Sequence, residues 1–173
     1  SLDESSTRIL IDQQLQDAGW EADSEQLDYR KGVRPQKGRN MAIAEWPTEH
    51  NGEKGRADYV LFIGLTPVAA VEAKKMNTNV AGKIPQAARY SKGFALCGAM
   101  SGPWALEGRS SPWSDGQGEQ YQLPYLYSCN GRPFVKQLAE QSGIWFRDAR
   151  HPSNLARALQ EFHSPEGLLD LLK

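Results

Sequence analysis

Cysteine and histidine are scarce in this 173-residue chain, with two of the first (Cys97, Cys129) and three of the second (His50, His151, His163). Two cysteines cannot form a disulfide framework or a four-ligand zinc site, and the histidines show no ligand spacing, which argues against a zinc enzyme. Long apolar runs are also missing. No stretch approaches the roughly 18 apolar residues of a membrane helix, and SLDESSTRIL has neither the basic nor the apolar region of a signal peptide, so no membrane partner is expected. Nor does charge of one sign dominate: 20 Lys and Arg meet 21 Asp and Glu, for a net charge of −1. That excludes a histone-like binder working through its overall field, so any nucleic-acid contact has to be local. Length and a hydrophobic share of 39% fit one globular unit over residues 1–173.

The apolar positions Ile11, Leu15 and Ala18 recur at helical spacing, and Gly19 follows them directly. They predict a helix over 4–18, with Glu4 on its inward stripe, seven residues before Ile11. Residues 29–40 bring Arg30, Lys31, Arg34, Lys37 and Arg39 together among Gly and Pro with no acid, a basic loop. Three strand-like runs follow at 41–46, 56–63 and 68–74, the last two apolar on both faces as interior strands are. Pro85 and Gly93 bound a short helix over 84–92. Residues 95–120 lose periodicity and read as a long loop, in which Trp104 and Trp113 either stack on bases or pin the loop to the body, the second being the commoner use. Strands at 123–128 and 144–147 and helices at 155–162 and 168–172 complete the expected order.

The stretch that carries chemistry is GRADYVLFIGLTPVAAVEAKK, residues 55–75. Ionised side chains rarely enter buried strands without a role. Glu72 and Lys74 are two apart and share one strand face. Residues paired across a hairpin have a constant index sum. A three-residue loop of Gly64, Leu65 and Thr66 gives 130, the sum of Asp58 and Glu72, whereas a two-residue loop shifts the sum by one and parts them. The two carboxylates therefore face each other, with Cβ atoms roughly 4.5–5.5 Å apart, only with an odd loop or a bulge. Two buried like charges repel unless a cation lies between them. All-oxygen ligation by Asp58, Glu72 and a strand carbonyl such as that of Ala73 favours Mg²⁺, with Mn²⁺ as substitute. Beside it, Lys74 could orient a water, deprotonate it as the free amine, or as an ammonium offset charge on a phosphate. A bare Glu-x-Lys triplet is usually a solvated ion pair, but these strands are too apolar for a surface. The set is equipped for phosphodiester hydrolysis.

D58…E72-A-K74 resembles the PD-(D/E)xK nuclease signature, with Ala57 in place of the proline. Gln86 and Tyr90 match the Q-xxx-Y pair that follows the lysine in nuclease domains of the R (motor) subunits of type I restriction enzymes, and at i, i+4 they share one helix face. IDQQLQDAGW, IAEWPT, SCNGR and SGIWFRD look like the same N-terminal endonuclease region, so the resemblance covers nearly the whole chain. It implies an α/β restriction-endonuclease-like core, a central mixed sheet flanked by helices in the order α-β-β-β-α-β. It further implies cleavage of double-stranded DNA, Glu4 as the first-helix acid, a cytoplasmic bacterial or archaeal setting, and a complex with methyltransferase and specificity subunits. An ATP-driven translocase would follow in the full subunit. This chain has no G-x-x-x-x-G-K-[ST], so it would be an excised nuclease domain and ATP would serve only the motor.

Gln86 and Tyr90 would hold Lys74 or a phosphate through side-chain hydrogen bonds. Lys75, Lys83, Arg89 and Lys92, with Arg30, Lys31, Arg34, Lys37 and Arg39, are candidates for tracking the DNA backbone. One rival is an inactive nuclease fold that holds DNA or docks subunits, against which the retention of Asp58, Glu72 and Lys74 speaks. A glycosidase using Glu45 and Glu72 leaves Lys74 unexplained.

Overall fold

The computed structural model of the chain describes residues 4–106, 108, 112–134 and 136–173. A first helix, α1 (Glu4–Asp17), leads through the two-residue β1 (Glu21–Ala22) to three long strands, β2 (Asn40–His50), β3 (Glu53–Ile63) and β4 (Thr66–Ala73). Then come α2 (Ile84–Lys92), the single-turn α3 (Pro103–Leu106) and a small hairpin of β5 (Trp113–Ser114) and β6 (Gln120–Tyr121). The chain closes with β7 (Tyr125–Cys129), β8 (Ile144–Asp148), β9 (Arg157–Ala158) and α4 (Pro165–Leu172).

Seven strands form one mixed sheet in the order β1-β2-β3-β4-β7-β8-β9. Its centre is the meander β2-β3-β4, and β7 joins β4 in parallel by way of α2. Both faces are covered, which is why β4 reads as almost continuous Val and Ala and is buried from Pro67 to Ala73. On one face Ile11 and Leu15 of α1 and Leu168 and Leu172 of α4 meet Tyr59, Leu61, Val71 and Tyr127. On the other, Ile84 and Ala87 of α2 pack with Phe94, Trp46, Val60, Phe62 and Leu126.

Three expectations need correcting. Residues 155–162 are not helical: β9 runs along the sheet edge there, Leu155 is 86% exposed and Phe162 is buried, so the Leu155–Leu159–Phe162 spacing mimics a helical period in an extended segment. The 95–120 segment is not bare loop, since α3 and the β5–β6 hairpin lie within it. Trp104 and Trp113 meet edge to face at 6.1 Å with Trp113 buried, so the pair packs parts of the segment against each other. Residues 107 and 109–111 of the expected loop lie outside the described residues. The β2–β3 hairpin is also longer than its apolar runs suggest. It turns at Asn51-Gly52, both at positive φ (52° and 79°), the pair that a tight two-residue hairpin turn requires.

Candidate active site

The ladder between β2 and β3 skips one rung. Ala44 pairs with Tyr59 and Trp46 with Ala57, and between them Glu45 stands across from Asp58 without a registered pair. At this rung both strands change phase. Ala44 and Tyr59 face the α1 side, whereas Trp46 and Ala57, which regular alternation would also send there, face the α2 side. The cause in β2 is Glu45 itself, held at φ 61° in the left-handed region. Such a conformation costs a non-glycine residue on the order of 1–3 kcal/mol, and it persists because Trp46 is locked among Tyr29, Phe62 and Phe94. The break opens the middle of the sheet to charged side chains from both faces.

A bulge sets the second half of the geometry. Ile63 pairs with Thr66 and Phe62 with Pro67 around the two-residue link Gly64-Leu65, then the register shifts and Leu61, Val60 and Tyr59 pair with Ala69, Ala70 and Val71. The index sum changes from 129 to 130 by this step, so the next rung sets Asp58 against Glu72. The bulge rather than a three-residue loop brings the acids together.

Glu72 is 3% exposed. Its Oε1 lies 2.9 Å from Lys74 Nζ, and its Oε2 is buried with no hydrogen-bond partner. Asp58 accepts the Ala73 N–H at 2.7 Å through Oδ2 and the Arg8 guanidinium at 2.6 Å through Oδ1. Burial first, and the Glu72 carboxylate next, push the Asp58 carboxyl up to about 7 against the pull of Arg8 and the Ala73 amide. The arginine at 2.6 Å does not outweigh that burial and the neighbouring carboxylate. Lys74 itself is fastened by its own N–H to the Cys129 carbonyl at 2.8 Å. The Cys129 thiol is buried and pushed well up, first by desolvation, so it is no nucleophile.

α2 delivers Tyr90 to the same end of the sheet. Burial, and after it the neighbouring Glu72, raise its hydroxyl well above the ordinary tyrosine range, yet no hydrogen bond of good geometry satisfies Glu72 Oε2. Gln86 is half-buried one turn earlier on the helix. α1 does reach back to Glu4, but Glu4 is exposed at its first turn. The inward positions are Thr7, Ile11, Asp12 and Leu15, and the charge that reaches the acids is that of Arg8. Sequence reasoning missed Arg8, whose partner lies 50 residues away. It also passed over the purpose of SCNGR. Ser128 Oγ donates to the Val80 carbonyl at 2.6 Å and Asn130 Nδ2 to that of Thr78 at 2.8 Å, which tie down the loop that follows Lys74. Among the described residues no three of His, Cys, Asp and Glu gather as metal ligands, so the acidic set is a pair.

Several of the basic residues are engaged nearby. Arg30 pairs with Asp28 at 2.7 Å, Arg39 with Glu21 at 2.6 Å and Arg89 with Glu53 at 3.6 Å. Lys31 donates to the Glu25 carbonyl, and Arg34 lies 3.5 Å over the Tyr29 ring while donating to the Tyr29 and Val33 carbonyls. Lys37 and Lys75 are exposed and Lys83 is half-buried.

A sequence profile described as the second domain of the type I restriction enzyme EcoKI endonuclease subunit matches residues 21–172. This chain belongs to that family. It is 44% identical over 185 aligned residues to the type I restriction enzyme EcoKI endonuclease subunit of Escherichia coli (strain K12), an alignment that covers 99% of the chain and 16% of that protein. The chain thus spans about a sixth of the relative's length. No solved structure matches it. The profile describes the matched region as a second domain of that subunit. No helix is long and apolar enough among the described residues to cross a membrane.

Proposed function

We propose that this chain is the cleavage module of a type I restriction complex and hydrolyses phosphodiester bonds of double-stranded DNA with the help of Mg²⁺, for which Mn²⁺ can substitute. The observation that carries the reading is the buried, unpartnered Glu72 Oε2 beside an Asp58 carboxyl raised to about 7, with the Lys74 ammonium 2.9 Å from Glu72 Oε1. A buried carboxylate oxygen without a donor is costly and marks a place for a ligand. Two carboxylates with no nitrogen or sulfur donor suit a hard divalent cation, held by Asp58 and Glu72 with the Ala73 carbonyl as a further oxygen. When bound, that cation lowers the pKa of a coordinated water and polarises the scissile phosphate.

The chain's own groups do the rest. Ala73 N–H fixes one oxygen of Asp58, so the other is presented in a defined direction. Lys74 sits half-buried at the edge of the pair, where as an ammonium it orients the attacking water and offsets the charge growing on the phosphate. Tyr90, protonated across the physiological range, is a donor to Glu72 or to a phosphate oxygen, and Gln86 on the same helix lines the approach. The PD-(D/E)xK core, the cytoplasmic setting, and assembly with a translocase and with methyltransferase and specificity subunits belong to the same proposal. Plasmid nicking with and without Mg²⁺ tests it. Supercoiled DNA is relaxed only with the metal and with Asp58, Glu72 and Lys74 intact, and equal relaxation in EDTA contradicts the assignment.

A further inference from the structure

The arginine on α1 is placed as a cation is placed. Arg8 Nη2 is 2.6 Å from Asp58 Oδ1 and 3.5 Å from Glu45 Oε1, so one nitrogen lies between two carboxylates from opposite strands. Its side chain is only 14% exposed and its guanidinium stands over the Tyr59 ring at 4.9 Å. Tyr59 in turn donates to Asp12 Oδ1 at 2.7 Å, and Asp12 Oδ2 accepts both the N–H and the hydroxyl of Ser24, so the helix that carries Arg8 is fastened independently of the acids. Glu45 reaches the guanidinium through the left-handed backbone that breaks the phase of β2, and its other oxygen lies 3.4 Å from Arg56 Nε. A strained residue that supplies a second, looser acceptor to an arginine already bound elsewhere has the form of a resting place.

We propose that Arg8 holds the place of the divalent cation at Asp58 while the site is unloaded, and that on loading its guanidinium passes from Asp58 to Glu45. The inference rests on the assignment of Asp58 and Glu72 as metal-holding residues. Arg8 thereby offsets the repulsion between Asp58 and Glu72 in the unloaded protein, and it competes with the metal for Asp58 Oδ1. A positive charge within hydrogen-bond reach of a ligand oxygen opposes the arrival of a second cation there. Glu45 is a positioning residue that relieves this competition by accepting the displaced guanidinium. A merely structural arginine predicts the reverse, because without it Asp58 would lose its orientation and bind metal less well.

Mn²⁺ affinity of the 173-residue chain, measured calorimetrically at pH 8 with folding followed by circular dichroism, separates the two. Arg8→Gln should bind Mn²⁺ at least several-fold more tightly than wild type, and Glu45→Gln several-fold more weakly. In the Arg8→Gln background, Glu45→Gln should change affinity less than twofold, since Glu45 acts through Arg8. Equal or weaker binding by Arg8→Gln overturns the proposal, as does an undiminished effect of Glu45→Gln when Arg8 is already gone. Should Arg8→Gln not fold, the Glu45→Gln single variant decides, and unchanged affinity there overturns it too. Binding in wild type that survives Asp58→Asn undiminished, or no binding in any variant, instead defeats the metal-site assignment itself.

Discussion

Two charged clusters stand in this fold, one at the small β5–β6 hairpin and one on the central strands β3 and β4, and they have been assembled on opposite principles. At the β5–β6 hairpin, Lys92 of α2 lies 2.8 Å from Asp115 and 3.1 Å from Glu119, and Glu119 also meets His50 at 2.6 Å and Asn51 at 3.2 Å. Every partner there holds the acids charged: Lys92, with backbone amides of Gln117 and Glu119, lowers Asp115 to about 2, while His50 and then Lys92 lower Glu119. At the Asp58–Glu72 rung the same residue types leave one oxygen unpartnered and one carboxyl raised to about 7. The first cluster clamps a hairpin to the body with its charges matched. The second leaves a buried acceptor unsatisfied and a carboxyl raised chiefly by burial, a perturbed pair of the kind that functional sites hold.

The comparison is broken most sharply by removing one residue at a time. Asp58→Ala, Glu72→Ala and Lys74→Ala should each reduce DNA cleavage by the assembled complex by a factor on the order of 10³ or more while leaving ATP hydrolysis in place, because each acts at the scissile phosphate. Asp115→Ala should leave most of the cleavage. Plasmid linearisation and phosphate release, followed side by side, check both statements, and a Lys74→Ala complex cutting at the wild-type rate would remove the lysine from the mechanism.

The two clusters should also respond to pH with opposite sign. Asp58, raised in the folded chain, binds a proton that the unfolded chain has already lost, so without metal its contribution to stability falls as pH rises from about 4 to about 7, by about 1.4 kcal/mol per unit at most. Asp115, depressed to about 2, contributes stability that is complete above the unfolded value near 4 and is lost as pH falls through about 2. Asp58→Asn should therefore raise the metal-free melting temperature at pH 8 and lose that gain below pH 5. Asp115→Asn should lower the melting temperature at pH 8, with the deficit closing below pH 4. Thermal melts across pH 3–8 read both. Because a cation can be held by Asp58 only once that proton has left, Mn²⁺ affinity should rise with pH toward about 7.

What was legible in the sequence follows the same division. Asp58, Glu72 and Lys74 could be read because ionised residues in apolar strands are conspicuous, and the index sum of 130 could be computed without coordinates. The means of reaching that sum could not, since a bulge at Val68 and a three-residue loop leave the same residues on the same face. Arg8 was invisible because a single arginine on an amphipathic helix says nothing about a partner 50 residues on. Glu45 was invisible as a phase break because left-handed backbone at a glutamate has no sequence signal. The Asn51-Gly52 turn did have one, and strand ends drawn from apolar residues alone overlooked it, since β2 and β3 run past the core into polar, exposed positions.

The smallest expected effects concern DNA affinity. The chain carries a net charge of −1 and Arg30, Arg39 and Arg89 are each matched by an acid, so duplex binding in EDTA should be weak. Replacing exposed Lys37 or Lys75 by Ala should lower it only a few-fold, each removing about one unit from the slope of log affinity against log salt. Ca²⁺ should strengthen binding by neutralising Asp58 and Glu72. Fluorescence anisotropy with a labelled duplex checks this, and nanomolar binding in EDTA would make the chain a dedicated DNA-binding module instead.

The most direct measurement is the melting temperature of the chain at pH 8 with and without millimolar Mn²⁺, for wild type and for Asp58→Asn. A cation held by Asp58 and Glu72 binds the folded state alone and stabilises it by mass action. Wild type should melt several degrees higher with the metal and Asp58→Asn should not. No rise in wild type, or the same rise in both, would contradict the assignment of Asp58 and Glu72 as a metal site.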